Sequence, residues 1–284
     1  MEQRARSALI FVPPLVVVLV LGEPWLGAVI LLAVGLGSLE ALRLLRAAGY
    51  PVLVGLGMAI ALAMVVDAAV PVDLAGSAAL LVAVAVMLAA VGAFTRRDPG
   101  DGLASWLGTV FGGVYVGLLS FVVRVGQAAP DLPPGAPLAA ILDGGRAWVL
   151  ILVLSVWAYD TGAYLIGRSF GERFGEATGL TRFLVHISPS KTYAGLFGGL
   201  AATTIVLGLG LWAAGAPVWQ ALIVGPAVGL AAQAGDLAES LLKRAAGAKD
   251  SGQLIPGHGG ILDRVDSLLF AAPVLTLYLL TFGR

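Results

Sequence analysis

Long apolar runs alternate with short polar breaks along the whole chain. A helix needs about 20 mainly apolar residues to cross the hydrocarbon core of a bilayer. Stretches of this kind fall near residues 8–22, 25–46, 51–68, 74–95, 103–127, 146–168, 192–214, 218–243 and 262–282. The pattern predicts an all-α, polytopic integral membrane protein with about nine transmembrane helices. The first stretch is short and contains Pro13 and Pro14, so an irregular entry is expected there. Its outline is that of a signal peptide, yet no small-x-small cleavage site ends it and many spans follow; it is read as a retained first helix. The longest breaks, 128–145 and 169–191, are too short for an inserted soluble domain, and no internal repeat stands out.

Composition agrees with the pattern. Of 284 residues, 59% are hydrophobic and only 12% charged, and the mean hydropathy is +0.95, well outside the range of a soluble globular domain. The net charge of zero by itself says nothing about nucleic acid, but no basic run of nucleic-acid type is present, and that class of partner is set aside. With no cysteine, disulfides, thiolate metal sites and cysteine nucleophiles are excluded.

Lysine and arginine concentrate in cytoplasmic loops, which tests the nine-span reading. With alternating loops, one side receives Arg4, Arg6, Arg43, Arg46, Arg96, Arg97, Arg168, Arg173, Arg182, Lys191, Lys243, Arg244, Lys249 and Arg264. Only Arg124, Arg146 and Arg284 fall on the other. The bias predicts a cytoplasmic amino terminus and puts the two most polar loops, 169–191 and 244–261, on the cytoplasmic face. Residues 1–145 then read as scaffold helices and 146–284 as the catalytic part of one continuous membrane domain.

Ionisable residues inside spans are costly and usually face a polar cavity. In "SVWAYDTGAYLIGRSFG", Asp160 lies deep in a span, with Tyr164 and Arg168 one and two turns later on the same face. In "AAQAGDLAESLLKR", Asp236, Glu239, Ser240 and Lys243 form one polar stripe at helical spacing. In "GILDRVDS", Asp263 and Asp266 stand at the start of the last helix. Each has a plainer reading: Asp160 as a structural partner of an arginine, the stripe as the wet end of a helix, the last two acids as complements to a helix dipole. Glu40 reads as an interfacial partner of Arg43, and Asp67, Asp73, Asp98 and Asp101 as solvated loop charges.

The plainer readings weaken in combination. Between stripe and last helix lies "AAGAKDSGQLIPGHGG", carrying Lys249, Gly252, Gly257, Gly259 and Gly260. Glycines let backbone N–H groups converge on an anion, and a helix amino terminus adds positive partial charge. Acids at the same place suit a hard divalent cation such as magnesium, which uses one or two carboxylates together with phosphate oxygens. No Walker loop, kinase set or GxSxG elbow is present. The residues by themselves reach a metal-dependent enzyme acting on a phosphorylated or nucleotide substrate in the bilayer.

The stretch "SLLKRAAGAKDSGQLIPGHGGILDRVDS", residues 240–267, closely resembles the diagnostic motif of the phosphatidate cytidylyltransferases, or CDP-diacylglycerol synthases. "WAYDTGAYLIGRSFG" and "HISPSKTYAGLFGG" are similar to two further elements of that family. The resemblance covers the chain from about residue 150 onward, and more loosely the spans before it. Ser190 stands where the family usually has lysine, and Ala194 where it usually has glutamate.

This resemblance implies a nucleotidyltransferase that joins CTP and phosphatidate into CDP-diacylglycerol and pyrophosphate, in phospholipid biosynthesis. It implies Asp236 and Asp263 as principal metal ligands and Asp266 as a ligand or a neighbour of one, with Mg2+ bound and a second cation, divalent or K+, considered. Lys243, Arg244, Lys249 and Arg264 would hold phosphates, and Gly257, Gly259 and Gly260 would let the loop approach them. Asp250 and His258 belong to the same catalytic stretch, His258 as loop-fixing or phosphate-bonding. Asp160, Tyr164, Arg168, Ser188, Lys191, Thr192 and Ser240 are the expected substrate-binding residues. A homodimer in the bacterial cytoplasmic membrane, with its active site facing the cytoplasm, is the implied setting. Rival readings are another CTP-using lipid enzyme, such as a polyprenol kinase, and a transporter using Asp160 and Asp236, although the matched broken helices of transporters are missing from the sequence.

Overall fold

The computed structural model describes residues 21–22, 25–69, 75–252 and 259–283. Nine α-helices lie among them: α1 (Trp25–Ala47), α2 (Val54–Ala69), α3 (Ala75–Ala93), α4 (Pro99–Gly117), α5 (Phe121–Ala128), α6 (Gly144–Thr178), α7 (Tyr193–Ala213), α8 (Ala221–Ala245) and α9 (Leu262–Phe282). A 3-10 turn, Leu118–Ser120, joins α4 to α5, and others precede α6 and α8. Among the described residues there is no strand, only an isolated bridge between Arg182 and Thr192.

Among the described residues, six helical segments are long and apolar enough to cross a membrane: Trp25–Ala47, Pro99–Ala128, Gly144–Thr178, Tyr193–Ala213, Val218–Ala245 and Leu262–Phe282. The chain is therefore an all-helical integral membrane protein. The apolar helix Val54–Ala69 is shorter. Of the expected span 8–22 only residues 21 and 22 are described, and Asp73 lies outside the described residues.

The chain divides into two compact units, one made of residues 1–124 and 242–265, the other of 125–241 and 266–284. In the first, the start of α4 is set by local chemistry: Asp98 accepts the Asp101 N–H at 2.9 Å, and Pro99 occupies the first helical position. Polar side chains tie helix starts together, with Thr109 accepting from Leu53 N at 2.9 Å and Ser105 donating to Pro51 O at 2.7 Å. Asp67 differs from the solvated charge expected of it. It sits on α2 and forms an ion pair with Arg124 on α5, because a carboxylate in an apolar helix needs a counter-charge.

In the second unit, α6 starts at Asp143, which accepts from Arg146 N at 2.8 Å, and ends at Gly179, whose φ of +75° closes the helix. The sequence reading ended this helix near residue 168. It continues through "SFGERFGEAT" because no proline occurs there and no glycine before Gly179 takes a left-handed φ, and its 35 residues span about 52 Å. That exceeds the roughly 30 Å of a bilayer's hydrocarbon core. α7 packs closely along α6: a side chain at Gly162 would meet Ala202 Cβ at 2.6 Å, and one at Gly198 would meet Ile166 Cβ at 2.4 Å.

Candidate functional site

Within the second unit, the loop between α6 and α7 folds back on itself. Phe183 N donates to Lys191 O at 3.3 Å and Tyr193 N to Thr181 O at 3.2 Å, while Ser188 N donates to Leu184 O at 3.0 Å. Thr192 then caps α7 by accepting from Gly195 N at 3.0 Å. These bonds fix Lys191 at the helix entry, from which its ammonium pairs with Asp236 on α8. Ser240, one turn on, donates to the other oxygen of Asp236 at 3.4 Å. Asp160 on α6 is exposed and interacts electrostatically with both Asp236 and Lys191. Two carboxylates and one lysine, drawn from three helices or their starts, thus share one polar neighbourhood.

A buried bond supports that neighbourhood. Tyr159 Oη donates to Gln233 Oε1 at 2.7 Å, and both residues are buried. Tyr159 precedes Asp160, and Gln233 lies one helical turn before Asp236, so the bond joins the helices that carry the two acids. Four residues after Asp160, Tyr164 accepts from Arg168 at 2.8 Å, as the spacing predicts. At Gly235 the second unit's α8 meets α9, where a side chain would lie 2.3 Å from Asp266 O. The Asp266 carboxylate itself accepts the N–H of Ser267 at 2.6 Å.

The first unit holds the signature residues that flank the loop. α8 ends at Ala245; Gly247 takes a φ of +66° and Ala248 N donates back to Lys243 O at 2.9 Å. Arg244 donates to Ala248 O at 3.3 Å, and Lys249 and Asp250 are exposed in the turn that follows. Lys243 Nζ donates to Asp263 Oδ1 at 2.6 Å. The other oxygen of Asp263 accepts from Ser251 N and Ser251 Oγ, both at 2.8 Å, and from Gly260 N at 2.9 Å. Arg264 occupies the first turn of α9, its N–H donating to Ile261 O at 3.0 Å. Gly257 and His258 lie outside the described residues.

Glu40, like Asp67, is a residue that sequence reasoning misplaced. Rather than pairing with Arg43 at an interface, it is 2% exposed. Its carboxylate accepts from Ile261 N at 3.1 Å, Leu262 N at 2.8 Å and Ser251 Oγ at 3.1 Å. Leu262 N, the first of α9, and Ile261 N just before it, expected to face a bound anion, are thus satisfied by Glu40, while Asp263 N donates to Ser251 Oγ at 3.3 Å. A carboxylate within an apolar helix was the available signal; a nearby arginine in the sequence diverted it. The glycines follow the same logic. At Gly259, with φ +79°, a side chain would strike Asp263 Oδ2 at 2.6 Å, and at Gly260 it would strike both Glu40 Oε2 and Ser251 Oγ at 2.3 Å.

The sequence profile of the cytidylyltransferase family matches residues 2–282. A phosphatidate cytidylyltransferase of Synechocystis sp. is 32% identical over 287 residues, covering 96% of this chain and 94% of the relative. One from Staphylococcus haemolyticus is 40% identical over 143 residues, half of this chain and 52% of the relative. One from Staphylococcus aureus is 42% identical over 138 residues, 48% of this chain and 50% of the relative.

Proposed function

The chain belongs to the cytidylyltransferase family, and from that premise we propose that it transfers the CMP moiety of CTP to phosphatidate, giving CDP-diacylglycerol and pyrophosphate. The observation that carries this reading is the end-to-end match to a phosphatidate cytidylyltransferase, with every charged residue of the signature stretch 240–267 in place.

The chemistry asks little of a general base. A phosphate monoester has a second pKa near 6 and is largely dianionic at neutral pH. A phosphatidate oxygen attacks the α-phosphorus of CTP, a new P–O bond forms, the α–β phosphoanhydride bond breaks, and its electron pair leaves with pyrophosphate. Catalysis then rests on alignment and on neutralising charge at the α-phosphate and the leaving group. Lys191, Lys243, Arg244, Lys249 and Arg264 are the proposed phosphate-holding cations. Ser188, Thr192, Tyr164 and Arg168 shape the substrate side of the α6–α7 loop.

Magnesium fits the donor chemistry. This ion takes one or two carboxylates and completes its shell with phosphate oxygens and water. Asp236, with only a 3.4 Å bond to its second oxygen, has lone pairs to offer, and Asp160 adds a second carboxylate in the same unit. Asp263 is proposed as the other principal ligand, and Asp266 as a ligand or a neighbour of one. Mg2+ held by such carboxylates would supply Lewis-acid neutralisation of phosphate oxygens; a second cation, divalent or K+, is part of the same proposal.

The bias of basic residues supports nine spans, a cytoplasmic amino terminus and an active site open to cytoplasmic CTP, in a bacterial inner membrane. A diacyl lipid enters sideways from the bilayer. Residues 146–284 form the proposed catalytic part, 1–145 the scaffold, and a homodimer the proposed assembly.

The test is the product of purified protein in detergent with phosphatidate, labelled CTP and magnesium, alongside Asp263→Asn. Label in a lipid with matching pyrophosphate, lost in the variant, is expected. Release of CDP without a liponucleotide would replace this reading by a lipid kinase.

A further inference from the structure

We propose that Glu40 is a positioning residue for the signature segment: from α1 it holds the first turn of α9 and Ser251, and through them sets the orientation of Asp263. The inference rests on the cytidylyltransferase reading for what Asp263 does, and on geometry within the first unit for how it is held.

A buried carboxylate persists only when its oxygens are hydrogen-bonded. Glu40 meets that demand with two backbone N–H groups at a helix start, where the dipole favours an anion, and with one hydroxyl. Ser251 Oγ stands between two acids, 3.1 Å from Glu40 Oε2 and 2.8 Å from Asp263 Oδ2. A hydroxyl has one proton to give, so it serves one acid at a time and registers the position of both. Successive backbone N–H groups are divided in the same way, Gly260 to Asp263, Ile261 and Leu262 to Glu40. A shift of the Glu40 carboxylate therefore displaces the donors on which the Asp263 carboxylate hangs.

The glycines show that the fit is tight. A side chain at Gly252 would lie 2.6 Å from Glu40 Oε1, and one at Gly260 2.3 Å from Oε2. Both sides of the loop are thus shaped around this carboxylate. Glutamine fills the same volume but presents an NH2 group to at least one of the three donors, so Glu40→Gln disturbs the arrangement without emptying it.

The experiment measures kcat, KM for CTP and for phosphatidate, and thermal midpoint in detergent for the full chain. The variants are Glu40→Gln, Ser251→Ala, the double variant, and Ile60→Val as a core truncation on α2 remote from the signature segment in sequence. Groups that orient a site's own ligands change activity by about 10- to 100-fold when altered. The expected result is a kcat loss of that order in Glu40→Gln and in Ser251→Ala, with both KM values unchanged. The double variant should be no slower than the slower single one, because the two act on one carboxylate. The proposal is overturned by a wild-type kcat in Glu40→Gln, by losses that multiply, or by a loss that Ile60→Val reproduces at an equal drop in midpoint. Should Glu40→Gln fail to fold, Ser251→Ala decides alone: reduced kcat at a wild-type midpoint supports the proposal, and unchanged kcat overturns it. A wild-type protein that makes no liponucleotide would instead remove the parent reading.

Discussion

Lys243 Nζ lies 2.6 Å from Asp263 Oδ1, joining two charged residues of one signature stretch that are 20 positions apart. Both side chains are only 13% exposed, so each charge depends on the other. The pair also closes the described ends of the loop: one partner leaves α8 and the other enters α9.

Breaking a buried ion pair from one side leaves an uncompensated charge, at a cost of about 3–5 kcal/mol. Lys243→Met is expected to lose stability on that scale, seen as a lower thermal midpoint in detergent, together with loss of turnover. Lys243→Met combined with Asp263→Asn should regain part of the stability and none of the activity. A double variant no more stable than Lys243→Met would mean that the pair is not what holds Asp263.

Lys191 is the cation paired with Asp236 and in electrostatic reach of Asp160. Lys191→Ala leaves two carboxylates facing each other and removes a proposed phosphate partner. Loss of one preorganised charge-stabilising group lowers turnover by about 10²- to 10³-fold. Steady-state kinetics with phosphatidate and CTP provide the check, and near-normal kcat would take Lys191 out of the substrate-holding set.

Gly260→Ala places a methyl group against Glu40 and Ser251. Overpacking of this kind costs about 1–3 kcal/mol, so both thermal midpoint and activity should fall. Gly55→Ala, in helical backbone with nothing within 4 Å of the added carbon, should be neutral or gain roughly 0.5 kcal/mol. Equal midpoints for the two variants would contradict the crowded environment of Gly260.

Arg124→Met strands the Asp67 carboxylate, one oxygen of which is buried with no hydrogen bond of its own. A hydrogen bond to a charged group contributes about 1.5–3 kcal/mol, and a loss of that size is expected in thermal melts. Because the pair lies outside the signature stretch, kcat of the folded enzyme should stay at the wild-type level. A kcat defect at permissive temperature would tie α2 and α5 to the chemistry.

Sequence alone determined the membrane class, most of the helices and the family, since apolar runs and a charged motif near 240–267 are local properties of the chain. It also determined the Tyr164–Arg168 contact, because residues four apart on a helix share a face. Helix ends were less legible: α6 continues ten residues past the expected boundary, through polar residues that a helix outside the hydrocarbon tolerates. Only tertiary structure decided where the charges go. Glu40 and Ser251 are 211 positions apart, Lys191 and Asp236 are 45, and no spacing rule connects them. The pairing follows from burial, complete at Glu40 and partial at Asp236, which takes water from each carboxylate and favours whichever donors the packing brings within reach.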